Sequence, residues 1–247
     1  MKVTILMTYL NRPESLVWTL KSLLKYDPLD FDVLIVDDNS TEDIVLPDLP
    51  YNVKIIKFTT EPWVHIYTGI VNMGMFYAIN GGADIIIFQH SECYHVGDIL
   101  GYAKTITDDK YISFGCYALG ANETPETVKI IDRACTNDGQ RSWYNHPTLR
   151  PVGYNFCCAI TAKNLIKING FDERFKDGCA YEDNYFLHQI AMLGLTVEIT
   201  DDPIVYHQYH SVMWNPNPEG WIRNQNLFYT LRQGMEYRAK HLLTPDL

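Results

Sequence analysis

The stretch that most constrains this chain is Ala83 to Asp98, reading Ala-Asp-Ile-Ile-Ile-Phe-Gln-His-Ser-Glu-Cys-Tyr-His-Val-Gly-Asp. Ile85 to Phe88 is a short, unbroken apolar run, which suits a strand buried on both faces better than a helix. It stops at a cluster of polar side chains that includes His90, Glu92 and His95. Open α/β sheets bind their ligands at the carboxyl ends of such strands. The plainer alternative is a strand end capped by a polar loop.

The rest of the chain supplies the context. Val3 to Thr8 predicts a first buried strand, and Pro13 fits the first turn of a helix carrying Leu16, Leu20, Leu23 and Leu24. Phe31 to Val36 and Val53 to Phe58 predict two more strands. A helix with Ile66, Ile70, Met73 and Tyr77 on one face closes at Gly81-Gly82 before the opening stretch. This alternation predicts an α/β fold with a doubly wound, mostly parallel central sheet flanked by helices.

After Asp98 the pattern predicts a helix over 96–107 and strands over 111–119 and 128–132. A loop over 134–150 follows, then a strand over 156–161 and a short helix over 162–168. A helix over 181–193 turns Phe186, Leu187, Ile190 and Leu193 inward, with Gly194 as its C-cap. Two short strands around Val197 and Val205 precede a helical tail over 219–242, mobile at its end. With no repeat and no linker, residues 1–247 read as one domain. Its parts are 1–98, a smaller lobe over 99–217, and a C-terminal helix over 218–247.

A formal charge of −10 argues against a nucleic-acid partner, and it means that a phosphorylated ligand needs a cation beside it. The aromatic share of 13% supplies rings able to stack on sugars or bases. Six Cys (93, 116, 135, 157, 158, 179) form no Cys-x-x-Cys pair and read as free, mostly buried thiols. No signal segment and no stretch of membrane-spanning length is seen, so the expectation is a soluble, cytoplasmic protein. Peripheral membrane contact by the C-terminal helix is left open.

Neither a Gly-x-x-x-x-Gly-Lys-Ser/Thr loop nor a Gly-x-Gly-x-x-Gly is present, so no backbone cradle for phosphates is expected. A cation held by a carboxylate and a histidine would serve instead, and Glu92 and His207 each follow a predicted strand. A buried, satisfied histidine is the competing reading of His207. Asp37-Asp38 could cap a helix or accept a hydrogen bond from the imide N–H of a base. Glu182-Asp183 could complement a helix dipole or include a general base.

Taken together, these residues resemble the family 2 glycosyltransferases, inverting enzymes with a GT-A-type nucleotide-sugar fold. The likeness runs from about Val3 to His210. Its pieces are Val-Thr-Ile-Leu-Met-Thr-Tyr-Leu-Asn-Arg at the start, Ile-Val-Asp-Asp-Asn-Ser-Thr, Asn72-x-Gly74, Gly-Phe-Asp-Glu-Arg-Phe, Glu182-Asp183 and Tyr206-His207-Gln208. The resemblance implies that Thr8 and Tyr9 line the base pocket, with Tyr9 stacking, and that Asp38 reads a uracil N3–H. It implies nucleotide contacts for Arg12, Asn72 and, on the ribose side, Ser91. Glu92 and His207 become metal ligands and Asp183 the base. His90 and His95 are left as supporting or structural residues. Ser91 departs from the family's acidic pair, which puts cation affinity in question.

What this implies is transfer of a sugar from a UDP-sugar donor to a hydroxyl of a glycan, polysaccharide or glycoprotein, with inversion. A divalent cation assists, Mn2+ first and Mg2+ second. Trp143, Tyr144, His146 and Glu182 would shape the acceptor side, and the loop over 134–150 would close over the donor. The alternatives are a sugar nucleotidyltransferase and a catalytically silent nucleotide- or carbohydrate-binding module.

Overall fold

A computed structural model describes residues 1–58, 67–134, 142–211 and 218–247. The described residues form one mixed sheet of nine strands: β1 (Val3–Tyr9), β2 (Phe31–Asp37), β3 (Val53–Lys57), β4 (Ile85–His90), β5 (Cys93–Val96), β6 (Lys110–Ala118), β7 (Ser142–Asn145), β8 (Cys157–Thr161) and β9 (Thr196–His207). The order is β3-β2-β1-β4-β8-β6-β9-β5, with β7 on β6. Helices are α1 (Pro13–Ser22), α2 (Tyr67–Asn80), α3 (Ile99–Ala103), α4 (Ala162–Ile168), α5 (Glu182–Met192) and α6 (Pro218–Gln233).

The first half of the sheet is parallel because each strand is joined to the next by a crossover. Its apolar runs are unbroken because both faces are covered. Val3, Ile5, Phe31, Val33, Ile85 and Ile87 pack with Leu16, Leu20 and Leu23 on the α1 side. Leu6, Leu34, Val36, Ile86 and Phe88 pack with Ile70, Val71 and Met75 of α2 and with Phe186 and Ile190 of α5. Gly74 matters here: a methyl group at that position would collide with Leu6, so only glycine lets α2 lie this close to β1.

The first half of the sheet is all parallel; in the second half β9 is parallel to β6, while β8 runs antiparallel to both β4 and β6. Several local expectations need correction. The inward face of α2 is Ile70, Val71, Met75 and Ala78, whereas Met73 is half-buried and Tyr77 exposed; Ile66 lies outside the described residues. Leu187 of α5 and Leu193 just after it do face inward, packing half-buried against the same core as Phe186 and Ile190. No strand forms over 128–132, where Ile131 donates to the Tyr117 hydroxyl, and β7 forms in the expected loop. The strands around Val197 and Val205 are one strand, β9, with an irregularity where Phe114 pairs Thr200 and Gly115 pairs Ile204.

The C-terminal helix ends at Gln233, and the residues after it are tied down. Buried Glu173 accepts from the backbone N–H of Leu242 and of Leu243 at 2.7 Å each and from the Thr244 hydroxyl. The Tyr185 hydroxyl donates to the Glu236 carbonyl. Cys93, Cys116, Cys157 and Cys158 are buried thiols outside any disulfide and Cys179 is half-buried; Cys135 lies outside the described residues. Among the described residues, no helix is long and apolar enough to cross a membrane.

Candidate functional site

The ends of β1, β2 and β4 lie side by side, with Tyr9 opposite Asp37 and Thr8 opposite His90. Two loops are stitched together above them. Asn11 and Asn39 take left-handed backbone conformations, with φ of 48° and 56°, a region that asparagine tolerates. The Asn11 carboxamide oxygen accepts from Thr41 N–H at 2.9 Å, and the Asn11 backbone N–H donates to Ser40 Oγ.

The adjacent aspartates divide the roles that the sequence leaves open. Asp37, almost fully buried, accepts from both the N–H and the hydroxyl of Ser40 and so shapes the turn. Asp38 has a buried Oδ1 with no hydrogen-bond partner. Burial, with the Asp37 charge beside it, pushes the Asp38 carboxyl up to about 7. A buried, unanswered acceptor is costly, and a donor such as an imide N–H would relieve it.

Glu92, 2% exposed, sits in the turn between β4 and β5 and is the hub of the site. Its Oε1 is 2.5 Å from Arg12 Nη1, 3.2 Å from His210 Nε2, 3.4 Å from His207 Nε2 and 3.9 Å from His90 Nδ1. Burial alone would raise its carboxyl, but hydrogen bonds from His207 and His210, with the His207 charge, outweigh it and hold Glu92 well below the usual range. His90 moves the other way: desolvation, only partly offset by Glu92, lowers it to about 4 and keeps its imidazole neutral. Gln208, at the end of β9, fixes the hub by donating to the carbonyls of Glu92 and Ser15 and to the Thr19 hydroxyl, each at 3.0 Å.

The donor atoms of His90, Glu92 and His207 lie within 4.8 Å of one another. A neutral imidazole and an ionised carboxylate are the ligand forms a divalent cation requires. These residues therefore fit a cation, provided the Arg12 guanidinium yields its place on Oε1.

On the other side stands Glu182-Asp183, in the first turn of α5. The two residues before it, Ala180 and Tyr181, are both left-handed, with φ of 59° and 69°. Such strain persists only where neighbours over-determine it. Here α6 does so: Asn224 donates to the carbonyls of Ala180 and Phe175 at 2.8 and 2.9 Å, and Gln225 to the Tyr181 hydroxyl at 2.6 Å. Burial and then the Glu182 charge raise the Asp183 carboxyl well above its usual range, and Asn155 works against them. Asn155, its amide turned with nitrogen toward Asp183, donates to that carboxylate and accepts from the Tyr67 hydroxyl at 2.7 Å. The Tyr67 ring meets His90 edge-on at 5.6 Å, so the acid pair and the Glu92 hub share one site.

The expected site residues separate into two groups. Thr8, Arg12, Asp38, Ser91, Glu92, His207, Tyr144, Glu182 and Asp183 lie at or beside the site. Tyr144 stacks on Phe156 at 4.8 Å and meets His207 at 5.3 Å. Ser91 is buried and its hydroxyl donates to Glu92 Oε2, so it supports the hub and does not face open space.

Four expectations are corrected. Tyr9 is buried in the α1-side core and offers no face for stacking. Asn72 is fully buried and is spent on Phe171, donating to its carbonyl and accepting from its N–H, both at 2.8 Å. Trp143 is a core residue packed on Tyr117. His146 Nδ1 accepts from Thr148 and Leu149 N–H and closes a turn. The lid expectation falls partly on residues 135–141, which lie outside the described residues.

Missed by the sequence were His90 and His210 at the hub, and Asn155 and Tyr67 at the acid pair. Proximity of His90 to Glu92 and the His-x-x-His spacing of 207 and 210 were available signals; Asn155 and Tyr67 offered none. His95 is structural as expected, held between Gln89 and Tyr26, and burial lowers it to about 3.

Comparison with known proteins adds the following. Residues 4–114 match glycosyl transferase family 2. No curated protein sequence matches the chain. Among solved structures, S. aureus TarS 1-349 in complex with UDP-GlcNAc is 17% identical with a TM-score of 0.63, covering 93% of this chain and 66% of its own. The mannosyltransferase PcManGT from Pyrobaculum calidifontis, in complex with GDP-Man and Mn2+, is 13% identical with a TM-score of 0.57, at coverages of 97% and 65%. GalNAc-T7 with UDP, GalNAc and Mn2+ is 12% identical with a TM-score of 0.59, at coverages of 95% and 51%. The chain thus has the GT-A-type glycosyltransferase fold and spans less than two thirds of each of these structures.

Proposed function

We propose, on the premise that residues 4–114 carry a glycosyl transferase family 2 segment in a GT-A-type fold, that this chain moves a sugar from a UDP-linked donor to an acceptor hydroxyl with inversion. The observation that carries this reading is the convergence at one sheet edge of Asp38, the Glu92 hub and Asp183. Asp38 accepts the uracil N3–H through its unanswered oxygen. Thr8 lies near the end of β1, opposite His90. Arg12, released from Glu92, meets the diphosphate.

A divalent cation held by His90, Glu92 and His207 would supply the positive charge that the diphosphate leaving group needs; Mn2+ is the first choice because two similar structures contain it. In the transfer, the acceptor oxygen attacks the anomeric carbon, the bond to the diphosphate oxygen breaks on the opposite face, and the acceptor proton passes to Asp183. A carboxylate with a raised pKa is a better base than an ordinary one, and burial with the Glu182 charge raises that of Asp183. Asn155 acts on the acid pair through an N–H that favours the charged form of Asp183, the form that can take the acceptor proton. Tyr144 and Phe156 present aromatic surface beside His207 for a sugar face.

The test is product analysis with a panel of UDP-sugars and acceptor glycans. UDP and an inverted glycoside are expected. Pyrophosphate would identify a nucleotidyltransferase, and nucleotide binding without turnover a silent module.

A further inference from the structure

Ser91 removes a carboxylate where the resemblance puts an acidic pair, and imidazoles gather at the one that remains. Three of them face a single oxygen, Glu92 Oε1: His210 at 3.2 Å, His207 at 3.4 Å and His90 at 3.9 Å. Two ligand atoms each about 2.1 Å from one ion stand roughly 3.0 Å apart at a right angle and roughly 4.2 Å apart when opposite. All three spacings to Oε1 fall within that window; His90, Glu92 and His207 are also within 4.8 Å of one another, and His210 completes the set by turning toward them as the ion enters. His207 and His210 flank the end of β9 with rings 5.2 Å apart, and Gln208 between them is pinned by three hydrogen bonds.

We propose that His210 is a fourth protein ligand, giving this chain a cation site of three histidines and one carboxylate in which Arg12 stands in for the ion until it binds. The proposal deepens the function given above and rests on the Glu92 cluster being that function's cation site. The Arg12 guanidinium lies 2.5 Å from the same oxygen that the histidines approach, so guanidinium and ion compete for one negative charge. Arg12 is delivered there by the left-handed Asn11, which is tied to Thr41. The chemical consequence concerns the kind of ion. Imidazole nitrogen suits Zn2+ and Co2+, whereas Mg2+ takes oxygen ligands, so this site should separate the two classes sharply.

The competing arrangement is a purely ionic one, in which protonated imidazoles hydrogen-bond to Glu92 and no ion enters. Titrating metal-free protein with Co2+ in the absence of nucleotide, followed by visible absorption and calorimetry, distinguishes them. Wild type should bind Co2+ with ligand-field bands shaped by nitrogen donors, and should bind Mg2+ far more weakly. His210→Gln should lower Co2+ affinity at least about tenfold, the loss that even an outer-shell partner causes, and shift the bands. Its effect on Mg2+ should be small. Arg12→Gln should tighten Co2+ binding.

His241→Gln, far from the hub, is the control, and thermal unfolding of each metal-free variant verifies folding. Failure of wild type to bind Co2+, an unchanged spectrum in His210→Gln, or unchanged Co2+ affinity in Arg12→Gln would each overturn the proposal. No donor sugar is used, so intact Co2+ binding without glycosyl transfer would sink the proposed function alone.

Discussion

The two halves of the sheet bring their residues to the site by different means. In the parallel half, Asp38, His90 and Glu92 sit where strands stop, and short turns are enough to aim them. In the mixed half, Asp183 follows two strained residues propped by α6, and its partners come from α2 and from the segment before β8. The first arrangement is local and rigid. The second depends on four separate elements being correctly packed. Donor binding and acceptor activation should therefore be separable by mutation.

The largest test of that separation is Asp183→Asn. Initial-rate kinetics should show kcat falling about 10²–10⁴-fold, the usual contribution of a general base. Calorimetry should show UDP affinity unchanged; a matching loss of UDP affinity would mean that the halves act as one.

Asp38→Ala should act on the donor side alone. Losing a hydrogen bond to a charged group costs about 1.5–3 kcal/mol, or roughly 10–100-fold in UDP affinity. Uridine and cytidine should then bind equally.

The next effect is a pH dependence. Burial and Asp37 raise the Asp38 carboxyl to about 7, and in the proposed function its charged form is the one that accepts the imide hydrogen bond. Uridine, whose missing phosphates cannot titrate, should bind more tightly as pH rises through 7, and the Asp38→Ala profile should be flat. For the empty fold the sign reverses: a pKa raised above its unfolded value gives stability that is present at low pH and lost as pH climbs through about 7.

Smallest in function should be Asn72→Ala. It strips buried Phe171 of both hydrogen bonds and should cost about 1–3 kcal/mol in urea unfolding. UDP affinity should hold; a loss would restore the nucleotide role that the packing removes.

The same contrast explains what could be read from the residues alone. Strands β1, β2 and β4 announce themselves as unbroken apolar runs because both faces are buried, and Asp37-Asp38 and Glu92 stand where those runs end; only the family resemblance singles out Asp38 from its neighbour. Tyr9 was misread because strand alternation turns it into the α1-side core beside Met7, a direction its position at the strand end does not reveal. Asn72-x-Gly74 is a packing motif, with Gly74 admitting β1 and Asn72 holding Phe171. β7 was hidden because Ser142 to Asn145 is short and its pairing partner, β6, lies far back in the chain. Asn155 and Tyr67 are joined 88 residues apart by a hydrogen bond that no local pattern encodes.

The carboxylate of Glu173 bears on how this protein should be handled at the bench. It collects Leu242 N–H, Leu243 N–H and the Thr244 hydroxyl from about 70 positions downstream, together with the Asn72 amide at 3.1 Å. Removing Leu242 to Thr244 would leave a buried carboxyl group short of donors beside α2. A shortened version that misbehaves should therefore be scored as an interior lesion.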